Sequence, residues 1–110
     1  MADEWGQDPS VQAMRRVFSR MESAQEEFLK AAGISPFSAR LRSWRDRARV
    51  CFERSWARAA GEGLKPSEEA AGSFYICCLS SVMLSEGVNI PETALPNDER
   101  VERVVKEILT

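Results

Sequence analysis

The sequence predicts an all-α fold, an up-down helical bundle of three long helices with a shorter C-terminal fourth helix. Capping signals recur along the chain, and apolar residues between them are spaced by alternating steps of three and four. No segment shows the alternating pattern of a β-strand. With 110 residues, 44% hydrophobic, and a net charge of -2, the chain is too apolar for disorder. We therefore expect one helical-bundle domain over residues 1–110, with residues 1–8 as a flexible N-terminal segment.

The first helix is predicted within residues 8–33, because an Asp-Pro pair opens this segment and a glycine closes it. Its apolar stripe has one interruption, at Gln25. The second helix is predicted within residues 35–61, opened by a Ser-Pro pair and closed by a glycine, with Phe37 as its first apolar residue. Short connections after both helices favour an antiparallel arrangement of consecutive helices.

The third helix is predicted within residues 66–87, where acidic residues in the first turn suit the positive end of the helix dipole. Between residues 74 and 84 it is apolar nearly all round, which is typical of a helix surrounded by others. The uncharged stretch 70–85 is shorter than the roughly 20 residues that cross a membrane, so we expect no membrane span. A fourth helix is predicted from residues 97–99 to the C-terminus.

The residue types exclude several kinds of chemistry. The chain has no histidine, which removes His-dependent catalysis and His-ligated metals. Its three cysteines, Cys51, Cys77 and Cys78, are too few for a four-ligand cluster, and we expect them to be reduced and packed in the core. The sequence thus favours a non-enzymatic protein with no catalytic residue, no metal site and no cofactor. The thiols and an acidic N-terminus without a leader pattern predict a cytoplasmic protein.

The second helix is rich in arginine, with seven arginines and two acidic residues between residues 40 and 58. In a helical projection they flank the apolar stripe instead of forming one outward patch. One border holds Arg40, Arg47, Arg54 and Arg58, and the other holds Arg42, Arg45 and Arg49. Long side chains at such borders cover core edges and meet acids on adjacent helices. This structural interpretation is favoured over an anion-binding or nucleic-acid-binding one.

These observations predict a protein that acts through protein association, either as a homodimer with two-fold symmetry or by binding another protein. The candidate partner-binding residues are Trp5, Trp56, Arg40, Arg47, Arg54 and Arg58. One alternative is binding of nucleic acid or another anion through the arginine-rich second helix. The other is a small ligand-binding or enzymatic bundle with a pocket built from Tyr75, Cys77, Ser81 and nearby arginines.

Overall fold

The computed structural model describes residues 9–61 and 68–109, and this part of the chain contains helices and no strand. Helix α1 spans Pro9–Ala32, α2 spans Leu41–Gly61, α3 spans Glu68–Ser85 and α4 spans Glu99–Leu109, with a 3-10 turn at Glu92–Ala94. The predicted all-α bundle of three long helices and a shorter fourth is confirmed. The predictions for residues 1–8, including Trp5, and for the opening of the third helix at residues 66–67 lie outside the described residues.

Two helices end at the glycines that the sequence indicated. Gly33 and Gly87 have positive φ angles of 71° and 81°, a conformation that glycine adopts without steric cost. After α1, the Ile34 amide donates to the Leu29 carbonyl at 2.9 Å, and after α3 the Val88 amide donates to the Met83 carbonyl at 3.1 Å. These bonds satisfy carbonyls that the helix ends leave open.

The start of α4 is also as predicted. The Asp98 carboxylate accepts hydrogen bonds from the amides of Arg100 and Val101, at 3.1 and 3.3 Å. An aspartate at this position satisfies two of the free amides of the first turn and complements the helix dipole.

The predicted start of the second helix is wrong. Helix α2 begins at Leu41, and the residues before it form turns in which the Phe37 amide donates to the Ser35 hydroxyl at 3.1 Å. A serine followed by proline caps a turn as readily as a helix, because both present free amides to the hydroxyl. Phe37 therefore leaves the apolar stripe and is 92% exposed.

Helix α3 forms the centre of the bundle. Helices α1, α2 and α4 all pack on it, α2 also contacts α4, and the 3-10 turn contacts α1. Helix α2 is antiparallel to α3, since Ser55 lies beside Cys78 and Arg47 lies beside Glu86. Within the described residues, the backbones of α1 and α2 do not come into contact, although a short turn joins them.

The prediction that the third helix is surrounded by others is confirmed by the burial of its side chains on all sides. These buried residues are Ala71, Phe74, Tyr75, Ile76, Cys77, Cys78, Leu79, Ser80, Val82 and Met83. Among the helices of the described ranges, none combines the length and apolar character needed to cross a bilayer.

Candidate functional site

Two of the candidate arginines bind one carboxylate at the end of α3. Arg40 Nη2 lies 3.2 Å from Glu86 Oε1, and Arg47 Nη1 lies 3.2 Å from Glu86 Oε2. The Arg40 guanidinium also lies over the ring of Trp44, 5.0 Å from its centroid. Arg40 and Arg47 thus tie the first turns of α2 to the residue after α3. Their role in binding a partner stays a prediction.

Arg58, Arg54 and Trp56 lie further along α2. Arg58 Nη2 lies 2.8 Å from Glu107 Oε2 and so links α2 to α4. Arg54 is exposed and forms no ion pair within the described part of the chain. The half-buried Trp56 ring packs on Phe52 at 5.4 Å and edge-on against Phe74 at 5.5 Å, between centroids. Trp56 therefore anchors the contact between α2 and α3.

A cleft opens between α1 and α2, and Tyr75 of α3 forms the floor of its narrow part; we call it the α1–α2 cleft. Next to the turn that joins the helices it has a volume of about 740 Å³. The lining residues there come from both helices and the turn: Gln25, Glu26, Leu29, Lys30, Gly33, Ile34, Ser35, Pro36, Leu41 and Arg45. It continues as a narrow gap lined by Phe18, Met21, Glu22, Gln25, Arg45, Arg49 and Tyr75.

A polar contact closes the floor of this cleft. The Tyr75 hydroxyl donates to Gln25 Oε1 at 2.6 Å. Burial raises the pKa of Tyr75, and the nearby Arg45 and Arg49 oppose this shift without cancelling it. The bond explains why Gln25 interrupts the apolar stripe of the first helix, because a buried phenol requires a polar partner.

Replacing Tyr75 by phenylalanine is expected to lower the free energy of unfolding by about 1 kcal/mol, because the hydrogen bond is lost while the ring remains. Urea denaturation of Tyr75→Phe, Gln25→Ala and the double variant measures the coupling between the two side chains. A coupling energy near zero would show that the contact contributes nothing to stability.

The walls of the cleft carry opposite charges that do not pair with each other. Glu22 and Glu26 are exposed on α1, whereas Arg45 and Arg49 project from α2. Glu22 lines the same narrow gap as both arginines, yet within residues 9–61 and 68–109 no ion pair joins them. The Arg49 guanidinium instead lies over the Phe18 ring, 6.0 Å from its centroid, and Phe18 remains 44% exposed.

Two of the three thiols, those of Cys51 and Cys78, form a buried polar cluster with Ser55 across α2 and α3. The Ser55 hydroxyl donates to the Cys51 carbonyl at 2.8 Å and lies 3.8 Å from Cys78 Sγ. A hydrogen bond from the Cys78 thiol holds the pKa of Cys51 below its usual range, and the same contact raises the pKa of Cys78. Cys77 faces α4. Burial is the main cause that raises the pKa of Cys77 to about 11, and the negative charge of Glu102 adds to it. All three cysteines are free and buried.

Stability is expected to fall at alkaline pH because of Cys77. Its pKa rises from 9.0 in a free thiol to about 11 in the folded protein, so the folded state retains a proton that the unfolded state loses. The contribution is complete below about pH 9 and is largely lost by about pH 11, at a cost of about 2–3 kcal/mol. Urea denaturation between these values should show a smaller loss for Cys77→Ala than for the unmodified chain. Parallel pH profiles would contradict this assignment.

The pocket expected from Tyr75, Cys77 and Ser81 is not assembled. Tyr75 lies in the α1–α2 cleft, whereas Cys77 and Ser81 line a separate groove of about 320 Å³ between α3 and α4. Tyr75 and Cys77 are two residues apart on α3, so their side chains project in directions that differ by about 200°. Cys77 and Ser81 are four residues apart and share a face of the helix. The prediction of one shared pocket was therefore wrong.

The described residues contain no group of three or more acidic or cysteine side chains placed to bind a metal ion. No protein-family model, curated protein or solved structure matches this chain.

Sequence reasoning did not identify the α1–α2 cleft. Its one visible signal was the polar Gln25 within an apolar stripe, one helical turn from Glu22 and near Phe18.

Proposed function

We propose that this protein acts through protein association, and that the α1–α2 cleft and its rim form the association surface. The observation that carries the proposal is that α1 and α2 both pack on α3, while their backbones do not come into contact with each other within the described residues. An elongated groove between two helices is a common receptor for a helical face of a partner.

Exposed aromatic side chains at the rim support this proposal. Phe18 lies at one end of the cleft, and Phe37 projects from the turn that closes the other end. Large aromatic side chains supply much of the binding energy of protein interfaces when a partner covers them. Single exposed apolar residues are ordinary on a protein surface, but two phenylalanines beside one groove favour an interface.

The alternative of nucleic-acid or anion binding gains no support at Arg40, Arg47 and Arg58. Arg40 and Arg47 share Glu86, and Arg58 is paired with Glu107. An anion that bound these guanidinium groups would have to compete with carboxylates already in place.

A photo-crosslinking amino acid at position 18 or 37 tests the association surface. We expect a discrete adduct with a polypeptide chain from either position, and none from the exposed position 89 as a control. Adding Phe37→Asp to the chain labelled at position 18 should abolish the adduct, since one partner spans both residues. Absence of an adduct at both positions, or an adduct at 18 that is insensitive to Phe37→Asp, would refute the proposal.

A further inference from the structure

We infer that the partner at this surface is a second copy of the chain, in a two-fold dimer that places α1 of each copy against α2 of the other. This inference rests on the proposed function and names its partner. The argument comes from the charges of the two cleft walls, from the apolar residues between them and from the size of the face.

The two walls are complementary in sign. Glu22 and Glu26 make the α1 wall acidic in net charge, with Lys30 beside the turn as its single cation in the described lining. Arg42, Arg45 and Arg49 form the basic wall on α2. Arg42 belongs to this wall because it lies three residues, about one helical turn, from Arg45 and seven residues, about two turns, from Arg49. In the described part of the chain these acids and arginines form no ion pairs with each other.

A two-fold axis converts this arrangement into a self-complementary one. An isologous interface brings the same patch of both copies together, so every contact occurs twice. The acidic wall of each copy then meets the basic wall of the other, and no second protein is required to supply the opposite charges. A partner with one uniformly charged helix would meet attraction on one wall and repulsion on the other.

The apolar residues and the dimensions of the face are suited to a dimer. Phe18 lines the gap between the charged walls, and Phe37 lies in the turn that joins α1 to α2. Both are exposed, and a second copy that covers this face would remove them from water. Helices of 24 and 21 residues side by side present a face of roughly 30 Å by 20 Å. That area, about 600 Å² per copy, approaches the roughly 800 Å² per partner of standard interfaces.

Charge reversal on one wall at a time tests the arrangement. The first variant carries Glu22→Arg and Glu26→Arg, and the second carries Arg42→Glu and Arg49→Glu. Each variant alone then has two walls of the same net sign, so we expect its dimer to dissociate at least about tenfold more readily than that of the unmodified chain. An equimolar mixture should form a one-to-one heterodimer, because each acidic wall again meets a basic one. Sedimentation at micromolar concentration measures all three samples.

Two further variants separate the interface from folding. Arg100→Glu makes the same charge change on α4, away from the cleft, and should leave the dimer unchanged. Phe37→Asp changes a side chain that is 92% exposed in the single chain, so its effect on dimerisation does not reflect loss of the fold. Circular dichroism should show helical content equal to that of the unmodified protein for both.

The outcomes distinguish this inference from the proposed function. A monomeric wild-type protein would overturn self-association, while crosslinks from position 18 to a different polypeptide would leave the association surface in place. A wild-type dimer that both double variants retain would show that another surface is used. Failure of the mixture to recover a dimer would overturn the pairing of α1 with α2.

Discussion

Replacing Leu79 by alanine is expected to lower the free energy of unfolding by about 3–5 kcal/mol. Leu79 is fully buried at the centre of α3, the helix on which α1, α2 and α4 all pack. Truncation removes the transfer free energy of three carbon atoms and leaves a cavity with helices on several sides. Such a site relaxes little, because a shift of one neighbouring helix would disturb the contacts of the others.

Leu84 provides the matched control, since it lies on the same helix and is 46% exposed. Leu84→Ala should cost less than about 1 kcal/mol, as water already solvates much of its side chain. Equilibrium urea denaturation followed by circular dichroism measures both variants, with equal m-values as the check that only stability has changed. Similar losses for the two variants would mean that α3 is not the centre of the core.

The central position of α3 was predictable from sequence because it depends on one helix alone. A helix that is apolar on every side has no stable place at a surface, whatever its neighbours are. The ends at Gly33 and Gly87 and the cap at Asp98 were predictable for the same reason, since each is a local arrangement of backbone and side chain. The start of α2 was not, because a Ser-Pro pair suits both a turn and a helix.

The α1–α2 cleft was beyond sequence reasoning for a different reason. Periodicity shows which face of a helix is buried but not which neighbour covers it, so the separation of α1 from α2 has no signature in either helix. The arginines that flank the apolar stripe of α2 also show that a helix's own sequence does not identify its neighbours. Their positions predicted acidic partners on adjacent helices, and Arg58 does meet Glu107 on α4. Arg40 and Arg47, however, meet Glu86, which lies beyond the last residue of α3.

Replacing Gly72 by valine is expected to cost about 1–3 kcal/mol, through overpacking between α1 and α3. A Cβ atom at this buried glycine would lie 3.3 Å from the Ala24 Cβ and 3.7 Å from the Arg20 carbonyl oxygen. The two further methyl groups of valine enlarge this contact, and the carbonyl oxygen belongs to helical backbone that cannot rotate away. Gly61→Val is the control, because among the described residues no heavy atom outside its chain neighbours and its own helical backbone lies within 4 Å of the corresponding Cβ. Its stability should change by less than about 0.5 kcal/mol.

Exchanging Ala24 and Gly72 distinguishes two causes of a stability change: crowding between α1 and α3, and the low helix propensity of glycine. Ala24→Gly alone should cost about 1 kcal/mol, the usual penalty for glycine within a helix. Combined with Gly72→Ala, the exchange keeps one methyl group at the contact and one glycine in a helix. The double variant should therefore lie within about 1 kcal/mol of the unmodified protein. If it is less stable than Ala24→Gly alone, the contact between α1 and α3 depends on which helix supplies the methyl group, and volume alone does not explain it.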